Sequence, residues 1–151
     1  MAKRQLTPEF REFMECLNRD GVEYLLVGEF TVNFYGHHRF TENIEFWIAA
    51  TDANFQRLLG AIREFFDGYL PGLDMQFLKD NESLYLGRVP DKIEVFQKAS
   101  GLIFSEAYPR GRSAMLEGIP VKIISISDLR LNKATSGRHK DLADLENLPQ
   151  P

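Results

Sequence analysis

The stretch Tyr24 to Ile48, YLLVGEFTVNFYGHHRFTENIEFWI, decides the fold. Its first four residues, Tyr24 to Val27, are continuously apolar and short, the pattern of a buried strand. Gly28 follows at once, and Gly28 to Tyr35 fits a short helix closed by Gly36. A basic corner, His37-His38-Arg39, leads into Asn43-Ile44-Glu45 and a second strand through Ile48. Strand, glycine turn, helix, and a second strand with spaced polar groups form a layout suited to phosphate and metal chemistry.

Outward from this stretch, helices and strands continue to mix. Thr7-Pro8-Glu9 predicts a helix start, with Thr as N-cap, Pro in the first turn and an acid near the positive helix end. Phe10, Phe13, Met14 and Leu17 recur at helical spacing until Asp20-Gly21. Asp52 opens a second long helix, with Phe55, Leu58, Leu59, Ile62, Phe65 and Phe66 on one face, ending near Gly68. Pro71 to Asn81 reads as irregular or weakly extended. Ser83 to Leu86 and Lys92 to Phe96 read as strands, and Ser105 to Tyr108 as a short helical turn. Ala114 to Glu117 and Ile119 to Ile124 predict a hairpin about Glu117-Gly118. Ser125 or Ser127 caps a helix through Ala134, broken at Ser136-Gly137, and Lys140 to Leu145 forms a last helix before a frayed, Pro-rich end. The expected fold class is α+β: one domain, a mixed sheet, helices outside it.

Composition narrows the function classes. The 151 residues suffice for one domain with a real core, and 44% are hydrophobic, which argues against disorder. A net charge of −4 argues against broad non-specific nucleic-acid binding but leaves room for a local basic site. The single Cys16 excludes an intrachain disulfide and a cysteine zinc cluster, consistent with a reducing cytoplasm, and reads as a packing residue. The basic start lacks the apolar run of a signal peptide, and no stretch approaches the ~20 apolar residues of a membrane helix.

Three elements carry chemistry. Gly28, directly after a buried strand, lets backbone N–H groups face an anion. Asn43 and Glu45 alternate with Ile44, so both oxygen donors share one strand face and can hold a hard cation such as Mg²⁺. A solvated strand edge is the plain alternative. Glu94, in Lys92-Ile93-Glu94-Val95-Phe96, has the same strand spacing and could complete a site with Glu45.

The order Gly28, helix, Arg39-Phe40-Thr41, Asn43-x-Glu45, then Glu94 resembles the nucleotidyltransferase superfamily, in particular its small bacterial members. Ser100 to Phe104, and Leu131 to Glu146 (LNKATSGRHKDLADLE), fit the same group, so the likeness covers roughly residues 22–148. The resemblance implies a nucleoside triphosphate held by two Mg²⁺ ions, with a nucleoside monophosphate passed to a protein, RNA or small-molecule hydroxyl. The physical logic is alignment and charge neutralisation across ions ~3.5–4 Å apart. Carried over, the metal-binding acids fall on Asn43, Glu45 and Glu94, with Glu45 and Glu94 catalytic. The phosphate turn falls on Gly28 and Glu29, and Arg39 and Lys133 are the basic residues for phosphate. A toxin–antitoxin or defence setting is also implied.

Several residues depart from the family pattern. Asn43 offers a carbonyl oxygen without charge, so divalent binding weakens. Glu45 and Glu94 each carry one methylene more than Asp, a reach difference of roughly 1.5 Å, where catalytic groups need placing within about 0.5 Å. Glu29 sets an anion where phosphate would approach, unless Arg39 or Lys133 neutralises it. All these changes affect the holding of Mg-nucleotide. Two readings follow: a nucleotidyltransferase weakened by Asn43 and Glu29, or an inactive binding or regulatory module of the same fold.

Other residues have plainer readings. Arg39 can meet phosphate or pair with Glu42. Adjacent His37 and His38 point apart, which disfavours a transition-metal site. Lys133, Arg138 and Lys140 also read as a solvated helix end, with Asp141 and Asp144 one turn apart and able to pair with Arg138 or Lys140. Trp47 is read as sheet packing rather than base stacking. No Gly-x-Ser-x-Gly elbow occurs. The Phe-rich helix faces could serve a dimer.

Overall fold

The strands read from the sequence assemble into one mixed sheet of six strands, ordered β3-β4-β2-β1-β6-β5. The computed structural model describes residues 6–36, 42–68, 70–87 and 91–151. In chain order the elements are α1 (Pro8–Arg19), β1 (Tyr24–Val27), α2 (Gly28–Phe34), β2 (Asn43–Ile48), α3 (Asp52–Phe65), α4 (Met75–Asp80), β3 (Ser83–Leu86), β4 (Lys92–Phe96), α5 (Phe104–Arg110), β5 (Arg112–Leu116), β6 (Ile119–Ile123), α6 (Ile126–Ser136) and α7 (His139–Asn147). The class is α+β, as expected. β1 pairs antiparallel with β2 and parallel with β6, and β2 pairs parallel with β4. The hairpin β3–β4 closes one edge and β5–β6 the other.

Period-two alternation splits the core into two layers. Tyr24, Leu26, Ile44, Phe46 and Ile48 join the larger cluster with Phe10, Phe13, Met14 and Leu17 of α1 and Phe55, Leu58 and Ile62 of α3. Edge-on contacts of the Phe13 ring with Phe46 (5.5 Å) and Phe65 (5.2 Å) tie α1 to the sheet and to α3. Leu25, Val27 and Trp47 face the other way, onto Ala107 of α5 and Leu129 of α6. Helices therefore cover both sheet faces, but the second covering is incomplete and leaves a cleft.

The local signals act as expected. The Thr7 hydroxyl accepts from the Phe10 amide at 3.1 Å, and the Ser125 hydroxyl from Asp128 at 3.1 Å, so Ser125 and not Ser127 caps α6. Glu117 (φ 48°) and Gly118 (φ 84°) both take positive φ, the two-residue turn that matches strand twist. Two expectations need correction. Within Pro71 to Asn81 lies α4, started by the Asp74 carboxylate accepting from Phe77 N at 2.8 Å and anchored by buried Leu78. The last helix runs past Leu145 to Asn147 and is anchored there: Leu148 is buried, and the Arg130 guanidinium donates to the carbonyls of Leu145 (3.3 Å) and Leu148 (3.2 Å), while Pro149 to Pro151 beyond it are exposed.

Candidate functional site

The uncovered part of the second face is a cleft of about 680 Å³. Its floor follows from register. Parallel pairing sets Glu45 beside Glu94 and Asn43 beside Lys92, and antiparallel pairing sets Tyr85 beside Glu94. Partners in register share a face, so Asn43, Glu45, Glu94 and Tyr85 line the cleft together. One step along, Trp47 lies beside Phe96 and ends the polar floor. Trp47 is 1% exposed, its Nε1 donates to the Gln97 carbonyl at 3.0 Å, and Phe104 meets it edge-on at 5.2 Å. It is a packing residue, as the sequence reading preferred.

Gly28 is favoured on two counts. Its φ is +76°, a left-handed conformation that favours glycine, and a Cβ there would overlap the Glu45 carboxylate. The first-strand turn and the second-strand acid are therefore fitted to each other. Burial pushes the Glu45 carboxyl above its ordinary pKa, and neighbouring Glu94 adds to this, opposed by Lys133 and Lys140; Glu29 pushes it further up. Burial also raises Glu94, against a hydrogen bond from the Tyr85 hydroxyl and the charge of Arg138. Two carboxylates crowded in a partly dry site attract a cation.

The wall comes from α6, α7 and the turn between them. Lys133 is 4% exposed, and its ammonium lies between Asp141 (3.2 Å) and Asp144 (2.9 Å), both buried. Asp141 also accepts from Ser136 Oγ at 2.5 Å and from Arg138 Nε at 2.7 Å. Burial would raise the Asp141 carboxyl, but the bonds from Arg138, Ser136 and Lys133 outweigh it and hold it at about 2. The solvated-helix-end reading thus fails for Lys133, Asp141 and Asp144 and holds for Arg138, whose side chain is 71% exposed. Of the local pairs expected, Arg138 with Asp141 forms. Lys140 instead pairs with Glu29 across the α2–α7 gap. Lys140 therefore brings a counter-charge to Glu29, while Lys133 is held by Asp141 and Asp144. Arg39, His37 and His38 lie outside the described residues.

The structure brings Gly28, Asn43, Glu45, Glu94 and Lys133 to one cleft, with Glu29 at its margin. Sequence reasoning missed Tyr85 and Asn132. The Asn132 amide donates to the Ser100 carbonyl at 3.0 Å, pinning the segment after β4 against α6. The Lys133 clasp left a signal: two acids one turn apart, just after a lysine in a helix otherwise ending in small residues. Oxygen donors on the floor are two carboxylates and one amide, a hard-cation set. Among the described residues no group of three or more His, Cys, Asp or Glu is placed to hold a metal. The cleft lining carries four cations (Lys92, Lys98, Lys133, Arg138) against three carboxylates (Glu45, Glu94, Asp141), the reverse of the chain's overall −4.

No protein-family model matches the sequence, and no curated protein does. Among solved structures, the chain is similar to an antigenic nucleotidyltransferase-like protein from Paracoccidioides brasiliensis, with a TM-score of 0.51 and 14% sequence identity over 89% of this chain and 70% of that one. At that identity the likeness is one of architecture: this chain has a nucleotidyltransferase-like fold.

Proposed function

We propose that the cleft binds a nucleoside triphosphate together with a divalent cation and supports slow nucleotidyl transfer, in which an acceptor hydroxyl oxygen bonds to the α-phosphorus, the bond from that phosphorus to the β-phosphate bridging oxygen breaks, pyrophosphate leaves and the hydroxyl proton passes to solvent. The observation that carries this reading is the in-register pair Glu45–Glu94 on the floor of a cleft bordered by the exposed side chains of Arg138, Lys92 and Lys98. Asn43, Glu45 and Glu94 would hold the ion, which when bound supplies charge neutralisation at phosphate oxygens. The chain's own residues do the rest. Gly28 leaves room for the Glu45 carboxylate, the Lys133 clasp keeps α6 and α7 at the cleft edge, and Lys140 neutralises Glu29 beside the turn. Transfer is slow because Asn43 removes one negative charge from the donor set and the longer Glu45 and Glu94 place their oxygens less rigidly than Asp would.

Thermal shift and calorimetry with the four triphosphates, with and without Mg²⁺ or Mn²⁺, test binding. A metal-linked gain of ~2.7 kcal/mol is expected when the ligand is at one hundred times its dissociation constant. No shift with any triphosphate would remove the reading. Asn43→Asp should tighten metal-dependent binding. Transfer is tested with labelled triphosphate on total RNA and partner proteins. Binding without labelled product would favour the inactive regulatory module that Asn43 also fits, and labelling of one protein partner would favour a toxin–antitoxin or defence role.

A further inference from the structure

Resting on that reading, we infer that Arg138, not Lys133, is the side chain that grips the phosphate chain. Four cations line the cleft, and three are poorly suited. Lys133 is buried and held on two sides by Asp141 and Asp144. Lys98 is 78% exposed at the rim and pairs with Glu82 at 3.0 Å. Lys92 is exposed at the start of β4, a single charge on a flexible stem. Arg138 combines exposure with a fixed aim. Its Nε and Nη2 donate to Asp141 at 2.7 and 3.4 Å, and Asp141 is itself anchored from behind by Lys133 and Ser136. Nη1 takes part in neither bond.

The guanidinium also sits close enough to the floor for Glu45 and Glu94 both to feel its charge. A planar, pre-oriented guanidinium beside a carboxylate pair that attracts a cation is the geometry for a phosphate chain bridging metal and arginine. The Lys133–Asp141–Asp144 clasp is then the mount and Arg138 the contact. The ligand class is a polyphosphate ester, recognised by its phosphates before its base.

The test is calorimetry of the full chain with Mg²⁺ and three probes: ATP, inorganic triphosphate and adenosine. Arg138→Ala should weaken ATP and inorganic triphosphate about tenfold or more, and leave adenosine unchanged. Arg138→Lys keeps the charge but loses the fork and should weaken both phosphates severalfold. Lys92→Ala and Lys98→Ala should cost about threefold or less. Wild-type-like triphosphate binding by both Arg138 variants, with Glu94→Gln losing it, overturns the assignment and leaves the cleft reading standing. A dominant loss in Lys92→Ala or Lys98→Ala also overturns it. If wild type binds no phosphate probe with any divalent ion, the cleft reading fails and the assignment falls with it. Should Arg138→Ala not fold, Arg138→Lys decides, and unchanged affinity there overturns the assignment.

Discussion

Ile44, Phe46 and Ile48 of β2 point one way, Asn43 and Glu45 the other, and the two sets do opposite things for the molecule. The first set is sealed beneath α1 and α3 and joins the main core. The second lines an open cleft, where Glu45 is held near Glu94 with its carboxyl pushed up by burial. One face of a single strand stabilises the fold. The other keeps crowded charge in place, an arrangement that burial opposes and a cationic ligand would relieve. The difference teaches that the site is mounted on two interior strands paired in register, so its floor cannot easily relax away the crowding.

The largest effect expected is on the apolar face. Phe46→Ala should cost about 3–5 kcal/mol, read as a lower urea midpoint, because Phe46 is buried against Phe13 and Tyr24. A loss as small as a surface substitution would break the contrast between the faces. Next, Lys133→Ala leaves Asp141 and Asp144 buried without their ammonium and should cost about 3 kcal/mol. Rescue by Asp141→Asn in the same chain would sharpen the assignment to charge rather than shape.

The pH dependence follows from the same clasp. Asp141 is held at about 2 against an ordinary 3.8, so its contribution is fully present above pH 3.8 and is lost as pH falls toward 2. Integrated, that is about 2 kcal/mol, visible as an acid limb in urea midpoints that Asp141→Asn should flatten. Glu45 and Glu94 act with the opposite sign. Their raised carboxyls weigh against the fold while ionised, and that burden lifts as pH falls through their folded values. At the cleft margin, Lys140→Ala should weaken Mg-triphosphate binding by up to about 1 kcal/mol by removing one counter-charge from Glu29, and adding Glu29→Gln should restore it. The smallest effect is a gain. Glu45→Gln should stabilise the protein slightly at neutral pH, read as a higher urea midpoint, while removing metal-dependent binding. If it destabilises instead, the crowding argument for the cleft face is wrong.

Much of this contrast was legible in the chain. Alternation in Asn43-Ile44-Glu45-Phe46 assigned the two faces, and Lys92 to Phe96 repeated the pattern around Glu94. Caps at Thr7 and Ser125 and the Glu117-Gly118 turn acted locally, as their side chains and backbone preferences require. Less legible was α4, a helix of six residues whose Asp74 cap sits among turn-forming residues. The basic segment at the C-terminal end was harder still. Composition made Lys133, Arg138 and Lys140 look alike, and the fold gives them three roles: a buried clasp, an exposed guanidinium and a partner for Glu29.

What the sequence determined by itself is therefore local and periodic: which segments form strands, which face each side chain takes, and where the longer helices begin. These depend on backbone geometry within a few residues. Only the tertiary structure decided that β2 and β4 pair in parallel with Glu45 on Glu94, that Gly28 makes space for that carboxylate, and which acid meets each cation. Those outcomes depend on register between distant segments and on burial, and a one-residue slip in either strand would have sent Glu45 and Glu94 to opposite faces.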